Sequence, residues 1–75
     1  MHFIRIKSTS HPQWDEAWVI YKNSFPIFEQ RTENDQIEVM KDDMFECRVY
    51  VIDNDVIGIL FFWQYDIYRY IEHFA

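Results

Sequence analysis

At 75 residues the chain is long enough for one domain and one hydrophobic core, near the lower limit at which such a core is stable without staples. Its 13 acidic side chains against 7 basic ones give a net charge of −6, and an acidic surface repels phosphate backbones, which argues against general nucleic-acid binding. The single cysteine, Cys47, rules out an intrachain disulfide and a paired-cysteine metal site.

The first segment, His2 to Lys7, alternates Phe3 and Arg5 with Ile4 and Ile6 and predicts a short strand near a sheet edge. Ser8-Thr9-Ser10 breaks it. Ser10 and Gln13 stand at capping-box spacing, and Pro12 is tolerated in a first helical turn. The helix expected from His11 to Asn23 carries the stripe Trp14, Ala17, Trp18, Tyr21, which reads as core. Asp15 and Glu16 near its start and Lys22 near its end suit the helix dipole.

Pro26 ends that helix, and Phe25, Ile27 and Phe28 around it suggest a connection folded over something. Thr32 or Asn34 can cap a second, peripheral helix running to about Asp42, with Ile37, Met40 and Met44 as its apolar side. From Phe45 to Ile52 the alternation is clean: Phe45, Cys47, Val49 and Val51 share one face of a half-buried antiparallel strand. Asp53-Asn54-Asp55 reads as a hairpin turn. Val56 to Trp63 is apolar at every position but Gly58, too short to cross a membrane, and belongs inside a sheet with cover on both faces. A last strand is expected from Tyr68 to Ala75. The order is β-α-α-β-β-β, an α+β fold with a mixed or antiparallel sheet.

Seven Phe, five Tyr and three Trp are more than so small a domain hides by itself, so a homodimer is expected, through the last strand or the uncovered sheet face. The opening residues carry no apolar signal core and no run reaches the length of a membrane span, which makes a cytoplasmic protein without membrane contact the default.

Five stretches carry a family resemblance. Trp18-Val19-Ile20-Tyr21, Ser24-Phe25-Pro26 and Glu29-Gln30-Arg31 are similar to the first helix and following loop of acetyl-coenzyme-A-dependent N-acetyltransferases of the GNAT superfamily. Val56-Ile57-Gly58-Ile59-Leu60 resembles the third strand, and Tyr70-Ile71-Glu72-His73-Phe74-Ala75 resembles the fourth. The resemblance implies the N-terminal half of an acyl-CoA N-acyltransferase fold, with acetyl-CoA as co-substrate and a small-molecule or peptide amine as acceptor. In that family a glycine-bearing loop after the fourth strand holds the pyrophosphate at a helix N-terminus. Ala75 stands where that loop should begin and Gly58 is the one glycine, so residues 1–75 are expected to be a truncated domain, inactive by itself and weak in acetyl-CoA binding.

By the same resemblance, Glu72 is the candidate general base, and a carboxylate in an apolar strand can be tuned for that work. The plainer reading is an outward charge paired with Arg69 or Arg48. Phe74 and Ala75 are the candidate contacts of the acetyl carbonyl and pantetheine arm, through their backbone, against ordinary ladder pairing. Phe25, Phe28, Glu29 and Arg31 are candidates for lining the acceptor pocket, against a plain hydrophobic plug with solvated charges. His73 and Glu72 are adjacent on a strand and so expected to face opposite ways, which argues against a shared metal; no metal site is expected. The alternative to an enzyme is a small interaction module that pairs through its exposed sheet edge.

Overall fold

Alternation of apolar and polar residues sets the sheet. The computed structural model describes residues 2–67 and 69–75. Among them four strands form, β1 (His2–Ile6), β2 (Phe45–Ile52), β3 (Asp55–Gln64) and β4 (Arg69–Phe74), in the spatial order β1-β2-β3-β4. Every neighbouring pair is antiparallel. Two helices, α1 (Trp14–Ser24) and α2 (Glu33–Val39), lie between β1 and β2, joined by a short 3-10 turn at Ile27–Glu29. The architecture is α+β with a four-stranded antiparallel sheet. Tyr68, the expected first residue of the last strand, lies outside the described residues.

The stripe on α1 meets the sheet: Trp14, Ala17 and Tyr21 are buried, and half-buried Trp18 stacks between Trp14 at 5.2 Å and Tyr21 at 4.8 Å. Tyr21 continues onto Phe61 of β3 at 5.1 Å. Each such ring removes roughly 150–250 Å² from water, a gross gain of about 4–6 kcal/mol at about 25 cal/mol/Å² before entropy is subtracted. The helix starts later than its sequence suggests. Ser10 does not cap it; its N–H donates to Ser8 Oγ, and the Gln13 N–H donates to His11 Nδ1. These local bonds hold residues 8–13 in turns, and Gln13 becomes the N-cap with no side-chain capping bond.

Thr32, rather than Asn34, caps α2, its Oγ1 accepting the Asp35 N–H at 3.2 Å. The helix ends at Val39, short of Asp42, because the Asp42 carboxylate accepts the Met44 N–H and turns the chain into β2. Its apolar side also differs: Gln36 is fully buried, Ile37 and Met40 are half-buried, and Met44 is exposed. Arg31 donates to the Oε1 of this buried carboxamide, whose Nε2 has no acceptor among the described residues.

Two register shifts change which side chains share a face. One falls between Tyr50 and Val51, where Val51 pairs with Val56 and Tyr50 with Gly58, leaving Ile57 as the extra, exposed residue. Val56, Ile59 and Phe61 therefore join Ile6, Cys47, Val49 and Val51 in the core under the helices. The turn before β3 is tighter than expected. Asp53 and Asn54 both have positive φ (50° and 70°), a two-residue hairpin loop, and Asp55 already pairs with Ile52.

The expected cover on both faces of β3 is not found among the described residues: the helices pack on one face alone. On the other face Phe3 is 55% and Phe74 74% exposed, while Phe62 is buried beneath the guanidiniums of Arg48 and Arg69. An antiparallel sheet tolerates this, because one of its faces can remain in water.

Candidate functional site

The second register shift builds the site. In β4, Phe74 pairs with Leu60, His73 with Phe61, and Ile71 with Phe62, so Glu72 is the extra residue of a bulge. Regular pleating sends neighbours to opposite faces. The bulge cancels that alternation, and Glu72 and His73 lie together, Oε1 to Nδ1, at 3.5 Å. The sequence-based expectation that they diverge is overturned by this one inserted residue.

Neither Arg69 nor Arg48 partners Glu72. Arg48 belongs to Glu46, at 2.7 Å, with Arg5 nearby. The partner of Glu72 is Arg31, whose Nη2 makes an ion pair with Oε1, and the Trp63 indole N–H donates to Oε2 at 3.3 Å. Arg31 is itself held on several sides. Its backbone N–H donates to the Tyr21 hydroxyl at 2.7 Å, its Nη1 to Gln36 Oε1 at 3.1 Å, and its guanidinium lies over the Phe45 ring at 5.3 Å. Burial pulls its pKa down from the ordinary value, with Tyr21 and Asp35 opposing, and an arginine keeps its charge regardless.

His73 is 8% exposed, set edge-on against Phe25 at 4.7 Å, Tyr21 at 4.8 Å and Phe61 at 5.9 Å. Its Nε2 is 3.3 Å from the carbonyl oxygen of Glu29. A carbonyl oxygen accepts, so the ring proton is assigned to Nε2 and Nδ1 keeps a bare lone pair. No donor among the described residues reaches that Nδ1. Burial lowers the pKa of the imidazole; the Glu29 carbonyl opposes and Arg31 adds to the lowering. At neutral pH the ring is uncharged.

Gln30 fastens the connection to the end of α1. Its Nε2 donates to the carbonyls of Lys22 (3.0 Å) and Phe25 (2.6 Å), and its buried Oε1 has no donor among the described residues. Between this connection and β4 opens a cavity of about 510 Å³ lined by Phe25, Phe28, Glu29, Gln30, Arg31, Glu72 and His73. That volume lies within the usual range of small-molecule sites.

The structure thus brings Phe25, Phe28, Glu29 and Arg31 to the same cavity as Glu72. The connection folds in only partly: Phe25 packs on Tyr21 and His73, while Ile27 and Phe28 are 83% and 86% exposed. Phe74 and Ala75 stand apart from the cavity lining and differ from each other. Ala75 exchanges both backbone bonds with Ile59, at 3.0 and 2.6 Å. In an antiparallel ladder the next residue then turns its N–H and C=O outward, so those of Phe74 face the outer edge of β4. Cys47 is inert: burial pushes its thiol up to about 12.

Sequence reasoning missed Gln30 and Trp63 as site residues, and read His73, which could also serve as a proton relay, as a plain strand histidine. The argument from alternation set His73 aside, and no local signal marks the bulge that overturns it.

Comparison with family models, with curated proteins and with solved structures yields no match to this chain. Among the described residues no helix is long and apolar enough to cross a membrane.

Proposed function

We propose that the chain is the acceptor-side part of an acetyl-CoA-dependent N-acetyltransferase whose cavity takes a small-molecule or peptide amine. The observation that carries this reading is the meeting of two stretches distant in sequence, the 25–31 connection and the 72–73 bulge, around one cavity with a carboxylate and an imidazole in its wall. Amine acylation needs a group that takes up the proton leaving nitrogen. The exposed aromatic rim at Phe28 and the carboxylate of Glu29 suit a cationic amine that also carries apolar surface.

Acetyl-CoA fits one part of the chain and not another. The outward N–H of Phe74 suits a thioester carbonyl or the amides of a pantetheine arm laid along the edge of β4. Ala75 is less suited, its N–H and C=O being engaged with Ile59. When bound, the acetyl thioester supplies the acyl group. No residue is assigned to its phosphates, and a cytoplasmic setting belongs to the same reading.

The test is acetyl transfer by the product of the complete reading frame, offered acetyl-CoA and a panel of primary amines, with release of free thiol as readout. Acetylated amine with loss of transfer in Glu72→Gln is expected. No transfer to any amine overturns the reading. For residues 1–75 alone, S-acetylpantetheine should shift the Phe74 amide in a ¹⁵N spectrum without measurable turnover.

A second reading rests on a different observation. Phe3, Ile71 and Phe74 are each more than half exposed on the open sheet face, an apolar surface that a second copy can cover. A non-enzymatic homodimer follows from that reading, and sedimentation equilibrium showing a monomer at 100 μM (roughly the scale at which weak dimers form) would remove it.

A further inference from the structure

We infer that His73 is the second member of a proton relay, in which the proton shed by the acceptor nitrogen reaches Glu72 and is passed to Nδ1 of His73. This rests on the acetyltransferase reading above and adds a residue to it. Three features of the geometry point to the relay.

The first concerns Glu72. Its carboxylate opens on the cavity, yet it is already engaged by the Arg31 guanidinium and the Trp63 indole N–H. Both carboxylate oxygens are therefore already in use as acceptors within the fold. The second concerns the ring behind it. His73 Nδ1 is a buried acceptor with no donor, 3.5 Å from Glu72 Oε1, on a side chain that is 9% exposed. Two acceptor atoms facing each other without a hydrogen between them leave a place for one proton. The third is the fixed orientation of the ring. Nε2 bonded to the Glu29 carbonyl, and edge contacts with Tyr21, Phe25 and Phe61, keep Nδ1 directed as it is.

The charges around the ring agree with a transient proton. Arg31 from the connection disfavours a standing imidazolium, as does burial, so the ring rests empty. Glu29, beyond Nε2, favours the imidazolium, and the Glu72 carboxylate lies 3.5 Å from Nδ1. Tyr21 from α1 and Phe61 from β3 present ring surface to the imidazole. The balance closes within the reaction. As the nitrogen–carbon bond forms and the carbon–sulfur bond of the thioester breaks, nitrogen loses one proton and sulfur gains one. Glu72 and His73 hold that proton in between and end unchanged. His73 makes no contact of its own with the nitrogen in this scheme, and acts through Glu72.

The experiment has two arms. In the first, long-range ¹H–¹⁵N spectra of the imidazole follow His73 from pH 4 to pH 9 in wild type and in Glu72→Gln. The expected result is a neutral ring protonated at Nε2 near pH 7, whose titration midpoint moves down when the carboxylate is removed. A ring protonated at Nδ1, or a midpoint indifferent to Glu72→Gln, overturns the relay. The second arm uses the complete reading frame and the pH dependence of kcat/KM. An acid limb below pH 6.5 should track the spectroscopic midpoint of His73, and His73→Gln should lower kcat about 100-fold and abolish that limb. If that variant does not fold, the shifted limb in Glu72→Asp, which keeps a carboxylate at another distance, replaces it. Transfer with a limb unrelated to His73 sinks the relay alone. Absence of transfer in wild type sinks the acetyltransferase reading and the relay with it.

Discussion

Arg31→Met tests whether the site also holds the fold together. Methionine keeps an apolar stem against the Phe45 ring, so the substitution removes charge and donors with little loss of volume. Three partners lose something. Glu72, with its side chain 25% exposed, keeps a carboxylate without its counter-ion, and Gln36 Oε1, in a fully buried residue, loses its donor. The third is Phe45, whose ring loses the guanidinium above it. Breaking a buried pair from one side costs about 3–5 kcal/mol, and partial exposure of Glu72 brings that toward about 2. The stranded Gln36 oxygen adds about 1 kcal/mol. A total of about 3 kcal/mol is a large share of what a domain of this size has, and corresponds to a melting shift of roughly 12–24 °C. The assay is thermal and urea unfolding followed by circular dichroism, with Arg31→Met/Glu72→Gln alongside. The double variant should regain roughly half of the loss, because it removes the stranded charge. A single variant within about 0.5 kcal/mol of wild type, or a double variant no better than the single, refutes the claim that the ion pair is structural.

Other consequences are open to measurement. Gly58→Ala places a Cβ 3.1 Å from the Ala75 carbonyl oxygen, which accepts the Ile59 N–H. It should loosen the end of β4 and cost about 1 kcal/mol, read as faster amide exchange at Ile59 and Ala75. Cys47 should resist a thiol reagent in the folded protein at pH 8 and react at once in urea; rapid native labelling would contradict its burial.

Acid should destabilise the fold through His73. Its folded pKa lies below the ordinary value of about 6.5, so the unfolded chain takes up the proton first as pH falls. That contribution is fully present above about pH 6.5 and is lost as pH drops through the folded value. Comparing urea midpoints at pH 7.5 and 5.5, His73→Gln should flatten the difference. An unchanged difference would mean that His73 titrates normally.

Much of this architecture is legible without coordinates. The 3.6-residue stripe of Trp14, Ala17 and Tyr21 and the alternation of Phe45, Cys47, Val49 and Val51 each name their buried face, because each period is the geometry of its own element. Thr32 as a cap and Asp53-Asn54 as a turn are equally local, set by a side-chain oxygen and by tolerance of positive φ. What escapes such reading is wherever one residue too many enters a ladder. Ile57 and Glu72 look like ordinary strand positions, and their status as bulges depends on the partner strand rather than on their neighbours in sequence.

The candidate site divides in the same way. Sequence marked Glu72 as a charge in apolar surroundings and 25–31 as a proline-broken loop, and the family resemblance made both of them site candidates. Tertiary structure alone decided that Arg31 faces Glu72, that Gln36 is buried to receive Arg31, and that His73 shares the cavity with its neighbour. The physical reason is that ion pairs and buried polar bonds join residues far apart in sequence through space. Their energy depends on distance and burial, and no periodicity along the chain records either.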